Sequence, residues 1–311
     1  MTMLKWITKD TNINFMGARK FTFLFSTLLV ILSCLSMYFK SFNFGIDFSG
    51  GVLMEIKANQ PINVEEIRSK LSVLKLDELN LQTIGEAGDE LMIRAQAENA
   101  DEAAQRKAVV DIKQILGNSY EYRRVENVGP QVGDELKTAG IVASVLAMIA
   151  IALYIWIRFE WQFAVGALIG LFHDIVITAG LLSYFRFDFS LTTVAAILTL
   201  VGYSINDTVV TYDRIRENLK KYRKMPQLDL LNKSINDIFS RTILTGITTL
   251  IAVLPLYFWG GDALASFSFT ILAGLIIGTY SSIFVCTAFL NLFDLRAVEH
   301  KDENNYFGSI G

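Results

Sequence analysis

Six long stretches of this chain carry too little charge for helices in water, and each has the length that crosses a bilayer. They cover residues 21–39, 138–157, 161–185, 189–210, 242–259 and 264–293, where a span needs about 20 apolar residues. Of the 311 residues, 52% are apolar and only 19% charged, against about 25% charged in soluble domains. The chain therefore reads as an α-helical polytopic membrane protein with six transmembrane helices. A net charge of −3 offers no basic surface, so no nucleic-acid partner is expected. Cys34 and Cys286 lie inside apolar blocks, and His173 and His300 are the only histidines. These exclude a disulfide framework and a multi-histidine metal site. No metal, cofactor or enzymatic activity is expected.

The first span follows Lys5, Lys9, Arg19 and Lys20 as a secretory signal would. Its apolar run is longer than a signal core of about 7–15 residues, and no small-x-small cleavage site follows, so it reads as a retained anchor. Basic residues set the orientation. They gather in the segment 1–20, in the loop 211–241 (Arg214, Arg216, Lys220, Lys221, Arg223, Lys224, Lys233, Arg241) and in the tail 294–311 with Arg296 and Lys301. All three belong in the cytosol, with both termini inside, and the acidic segment 40–137 lies outside. There Val52–Lys57 alternates like a strand and Asn63 caps a helical run over 64–73. Strands follow at 81–86 and 91–95 around Ala87-Gly88-Asp89. Asn99 opens a helix over 100–116, and a strand over 120–126 closes the segment. Strand-helix-strand-strand-helix-strand is the ferredoxin-like order, so a small α+β extracytoplasmic domain is expected between helices 1 and 2.

Polar groups inside spans cost several kcal/mol each and mark a pathway or a pair. His173 and Asp174 sit mid-way along the third span. Asn206 and Asp207 lie in the inner half of the fourth, and Arg241 at the entry of the fifth. Helical spacing puts Tyr203, Ser204, Asp207 and Thr211 on one face, and Arg241, Thr245, Thr248 and Thr249 on another. Antiparallel neighbours would bring Asp207 opposite Arg241. Such a pair serves either as a proton switch, loading and unloading as the helices move, or as a fixed brace; the residues alone leave both open. His173 and Asp174 form a possible polar membrane site. Gly166, Gly170, Asp174 and Thr178 recur every fourth residue, so packing is the stronger reading there. Thr270, Gly274, Gly278 and Ser282 make a small-residue seam, and Pro255 is expected to kink the fifth span.

Two glycine-rich segments flank the outer domain. The first holds Gly45, Asp47, Gly50 and Gly51, the second Gly129, Pro130 and Gly133. Neither has the context of a phosphate loop, so close backbone packing and a domain hinge are expected.

These motifs, with Phe172-His-Asp174, Val201-Gly-Tyr-Ser-Ile-Asn-Asp-Thr-Val-Val210, Asp213-Arg-Ile-Arg-Glu-Asn218 and the Arg241 stretch, resemble the SecF family of the resistance-nodulation-division superfamily. The likeness covers almost the whole chain in order. It implies a subunit of the bacterial inner membrane that works with SecD, beside the SecYEG channel and the accessory protein YajC. Such a subunit would use the proton-motive force to finish moving unfolded preprotein after SecA has spent ATP. It also implies that Asp207 and Arg241, with Asn206 and Thr245 beside them, belong to the proton pathway. Gly246 departs from the slightly larger residue common in relatives. Ending soon after the sixth span, the chain resembles the separate subunit and not a SecD–SecF fusion. The alternatives are a proton-driven exporter of lipid or small molecules, an assembly scaffold, and an intramembrane aspartyl protease, whose Gly-x-Gly-Asp setting is absent.

Overall fold

A computed structural model describes residues 11–74, 76–84, 87–97 and 102–296. The expected opening of the second outer helix at Asn99, the strand end at Glu86, and Lys5, Lys9, His300 and Lys301 lie outside the described residues. In chain order the elements are α1 (Arg19–Lys40), β1 (Asn43–Phe44), α2 (Ile46–Ser49), β2 (Gly51–Lys57), α3 (Val64–Leu71), β3 (Leu76–Ile84), β4 (Glu90–Ala97), α4 (Glu102–Leu116) and β5 (Glu121–Val128). Then follow α5 (Pro130–Arg158), α6 (Trp161–Phe185), β6 (Asp188–Phe189), α7 (Leu191–Lys221), α8 (Gln227–Trp259), α9 (Asp262–Ser281), a π turn (Ser282–Cys286) and α10 (Thr287–Leu290). Among the described residues, six helices are long and apolar enough to cross a membrane.

Several boundaries differ from the sequence reading, each for a local reason. The second span's helix starts at Pro130, eight residues before the apolar block, because proline suits the first helical position. The fourth starts at Leu191, since Phe189 is held in β6. The expected basic loop over 211–241 is mostly helix: α7 continues to Lys221 and α8 begins at Gln227. Positive charge there gave an expected side of the membrane and no information on conformation. The last helix ends at Leu290, short of residue 293. Helix α8 runs through Pro255.

The α+β unit comprises Asn43–Ser144 and Asp188–Leu191. Its four-stranded antiparallel sheet has the order β3-β4-β2-β5. Alternation along β2 and β4 sends Val52, Met54, Ile56, Leu91 and Ile93 to one face, where Ile67 and Leu71 of α3 and Ile112 and Leu116 of α4 cover them. Asn63 caps α3 by accepting hydrogen bonds from the Glu65 and Glu66 amides, as its position suggested, although the helix stops at Leu71. The last strand runs Glu121–Val128, two residues beyond the expected end. On the opposite face Ile46, Leu53, Ile84 and Met92 make a smaller cluster. The short strands β1 and β6 pair in parallel, and Arg94 ties them to the sheet through Asp188 and Asn43.

The other unit is the helical bundle. Its core holds Phe159, Phe163, Tyr212, Ile215, Leu230 and Ile235. Outward, α1, α5 and α8 present large apolar side chains such as Phe23, Leu146, Trp156 and Ile251. Inward, α6 buries Gly166, Gly170, His173, Asp174 and Thr178. Small and polar residues facing in, with apolar ones facing out, is the arrangement of helices whose surroundings are themselves apolar.

At one end of the sheet Lys57 Nζ lies 2.8 Å from Glu90 and 3.2 Å from Asp89. The bonds to Glu90 and then Asp89 raise the Lys57 ammonium above the usual lysine range, and the Lys57 bond lowers the Asp89 carboxyl. The lysine's contribution is complete below its unfolded pKa and fades as pH rises through the raised value; the aspartate's is complete above its unfolded pKa and fades as pH falls through the lowered one. Lys57→Met is expected to make the melting temperature of the full chain in detergent fall less between about pH 10 and pH 12 than it does in the parent.

Candidate functional site: a polar seam within the helical bundle

Asp174 is wholly shielded from solvent, and His173 nearly so. The Asp174 carboxyl group has three hydrogen-bond partners: His173 Nδ1 lies 2.9 Å from Oδ1, while Ser204 Oγ and Ser281 Oγ donate to Oδ2 at 2.5 and 2.8 Å. One acid thus joins α6 to α7 and α9. The His173 ring stacks beside Tyr280 at 6.2 Å between centroids. The Tyr280 hydroxyl donates to the Thr22 carbonyl of α1 at 2.9 Å and meets Ser26 Oγ at 3.0 Å.

Missing side chains make these approaches possible. A Cβ on Gly278 would stand 3.2 Å from Ser204 Cβ and 3.5 Å from Asp174 Oδ2; one on Gly274 would overlap Leu200, and one on Gly170 would overlap Cys286 Sγ. Both expected small-residue faces, Gly166 to Thr178 and Thr270 to Ser282, are therefore packing faces. The second extends one step further than expected, to Cys286. Fourfold spacing drifts by about 40° per step around an α-helix of 3.6 residues per turn. The wider π turn at Ser282–Cys286 offsets that drift, and Cys286 lies 3.8 Å from Thr208 Oγ1 of α7.

Asp207 lies on α7 three residues beyond Ser204, 4% exposed, with Oδ2 buried and unpartnered. Arg241 is exposed at a cleft of about 450 Å³ with Asp213, Arg214, Glu217 and Asp237. Among the described residues no ion pair joins Asp207 to Arg241. Thr245 does not bridge them: its hydroxyl donates to the Arg241 and Thr242 carbonyls of its own helix at 2.6 and 3.1 Å. Thr248 and Thr249 back-bond in the same way. Asn206 is exposed and points away from the buried side on which Asp207 lies.

The Asp213–Asn218 motif works as a clamp at the end of α7. Arg158 donates to Asp213 at 2.9 Å, Arg216 pairs with Glu160, and Arg214 binds Glu217 and Asp237. Buried Asn218 donates to Ser234 at 2.9 Å and to Asp237 at 3.0 Å. Sequence reasoning named the motif only through resemblance; polar residues at helical spacing on both sides of Tyr222–Pro226 were the available signal.

In the α+β unit the glycine segments pack backbone to backbone. Gly50 and Gly51 have φ of +71° and +115°, and Cβ atoms there would stand 3.1 Å from Pro130 Cα and 2.9 Å from the Ala95 carbonyl. A Cβ on Gly133 would meet the Gly50 amide nitrogen at 3.2 Å, and the Gly133 amide bonds to the Gly129 carbonyl. Gly45 donates to the Phe189 carbonyl at 2.9 Å. Asp47 has a role the sequence did not reveal: its carboxylate accepts the Leu191 amide at 2.9 Å, where α7 begins.

A multi-span membrane protein results, with polar groups pinned inside its bundle and an α+β unit inserted after its first helix. The profile described as protein export membrane protein SecD/SecF, C-terminal, matches residues 108–296, and that of the SecD/SecF GG motif matches 36–62. Protein translocase subunit SecF of Rickettsia bellii is 43% identical over 95% of this chain and 98% of its own length. The SecF subunit of Rickettsia prowazekii is 43% identical over 96% of each. The crystal structure of SecDF, a translocon-associated membrane protein from Thermus thermophilus, superposes with a TM-score of 0.81 at 35% identity, covering 91% of this chain and 39% of that one. A structure of SecDF in a super-membrane-facing form gives 0.67 at 34% identity, over 97% and 40%. The chain spans about two-fifths of those solved chains. It belongs to the SecF family of protein translocase subunits.

The Gly170–Cys286 approach makes a direct prediction. Gly170→Ala is expected to cost about 1–3 kcal/mol by overpacking. Adding Cys286→Ala should recover most of it, because the Cys286 Cβ lies 3.9 Å from the introduced methyl. Melting temperatures of the two single variants and the double variant in detergent measure the coupling.

Proposed function

We propose that this chain is the SecF-type half of a Sec translocase accessory complex in a bacterial inner membrane, with SecD as its partner. The complex draws on the proton-motive force to complete preprotein translocation through SecYEG after SecA has acted, with YajC associated. It needs no cofactor beyond the gradient. Both termini face the cytosol, and the ferredoxin-like α+β domain, whose strand order β3-β4-β2-β5 suits that name, faces outward. The near full-length likeness to SecF subunits supports the assignment.

The observation that carries the mechanism is Asp207, buried in a span with one carboxylate oxygen unpartnered, while the cation nearest it in the mechanism stands off at a cleft. That gap supports a pair that changes state over a fixed brace. Protonating the carboxylate removes a buried charge, and deprotonating it draws the guanidinium in. One proton moving through 100 mV yields about 2.3 kcal/mol, enough to shift a balanced equilibrium between helix arrangements. The outer domain then grips and releases an emerging chain as α7 shifts.

Asp207→Asn, which keeps the shape and removes the titration, is expected to reduce proton-driven export from membrane vesicles to the level seen without a gradient. SecD should still co-purify. Export that keeps its response to the gradient in an assembled Asp207→Asn complex rejects the reading.

A further inference from the structure

The His173–Asp174 pair lies off the Asp207–Arg241 route and has a free valence of its own. His173 Nδ1 is engaged by Asp174 Oδ1 at 2.9 Å, and in the tautomer that donates from Nδ1 the ring leaves Nε2 as an acceptor. That Nε2 is buried and has no partner among the described residues. The nearby Tyr280 hydroxyl is already committed to α1.

We propose that His173 and Asp174 form a second proton-binding site, which takes a proton at His173 Nε2 and passes the change of state to α7 through Ser204. The inference rests on the proton-driven reading of Asp207. A hydrated proton gives up its H⁺ to the Nε2 lone pair, an N–H bond forms, and water leaves; release is the reverse. An imidazolium beside a carboxylate is a neutral ion pair, which an apolar surrounding favours over a lone charge.

The neighbouring groups leave that exchange to the pair. Helix α1 has no charged residue between Lys20 and Lys40, and α6 offers no other acid or base besides Tyr184. Helix α9 contributes Tyr280, the π turn contributes buried Cys286, and α7 contributes Tyr203, Asp207 and Tyr212. Ser204 and Asp207 lie three residues apart and share the buried face of α7. A charge gained at His173 weakens the hold of Asp174 on Ser204 and so bears on the helix that carries Asp207. Two buried acceptors, Nε2 of His173 and Oδ2 of Asp207, stand free at the two ends of this chain of groups.

His173→Asn separates a proton site from a brace, because the Asn amide reproduces the Nδ1 donor to Asp174 and lacks Nε2. The full chain, assembled with its partner in membrane vesicles, is assayed for gradient-driven export between about pH 5.5 and 8.5, the range in which imidazoles titrate. The expected result is normal assembly and melting temperature, a driven rate lower by about tenfold or more, and loss of the histidine limb of the pH profile. Ser204→Ala should move the profile in the same direction and decides the matter if His173→Asn fails to assemble. Wild-type pH profiles in these variants, with Asp207→Asn inactive, overturn the second site and leave the proposed function standing. If Asp207→Asn also keeps its response to the gradient, both are overturned.

Discussion

A carboxylate cut off from water must find donors, and in this bundle Asp174 finds them on three helices. An uncompensated charge in an apolar surrounding costs several kcal/mol, so the positions of Ser204 and Ser281 are set by the acid as much as by packing. Those bonds bring side chains of α6, α7 and α9 together. Glycine at 170, 274 and 278 permits it, where a methyl group would meet Cys286, Leu200 or Ser204. The polar contact and the small-residue faces are therefore one device. Replacing a glycine disturbs the hydrogen bonds, and removing the acid takes away the reason for the close approach.

The six spans were plain in the sequence because bilayer thickness imposes a length and a composition together. Where each helix stops is governed by other forces. Helix α7 runs past the apolar block to Lys221 because Asp213, Arg214, Arg216 and Asn218 each meet a partner on a neighbouring segment. Charge patterning gave an expected side for that stretch and nothing about its conformation. The strands and helices of the α+β unit were legible for the opposite reason: alternation in β2 and β4 and the Asn63 cap are local signals.

The polar residues divided along the same line. Periodicity put Ser204 and Asp207 on one face of α7, and that face is buried. It also put Arg241, Thr245, Thr248 and Thr249 together, yet these hydroxyls serve their own helix. Spacing shows which side chains share a face and is silent on what the face meets. Asp47 shows the limit most clearly. Its cap on Leu191 spans 144 positions of sequence, and no rule written in neighbouring residues finds such a partner. Ser281 was nearer to hand: it is three residues from Gly278, as much on the seam as Ser282, and a strict count of four passed over it.

Helix α7 gathers these interactions in order along its length. Asp47 holds its first amide, Ser204 binds the Asp174 carboxylate, Asp207 follows one turn later, and Arg214 and Asn218 fasten its end. A helix fixed at several points moves as a rod, because breaking its backbone ladder costs more than shifting a side-chain contact. On the proposed reading, a change of charge at Asp207 would therefore bear on these fixings together. The Asp174–Ser204 bond is buried and lies three residues from Asp207. The Asp47 cap is part-buried and joins an ion to the positive end of the helix. Both bonds are buried or part-buried, so on the proposed reading a shift begun at Asp207 would be carried along α7.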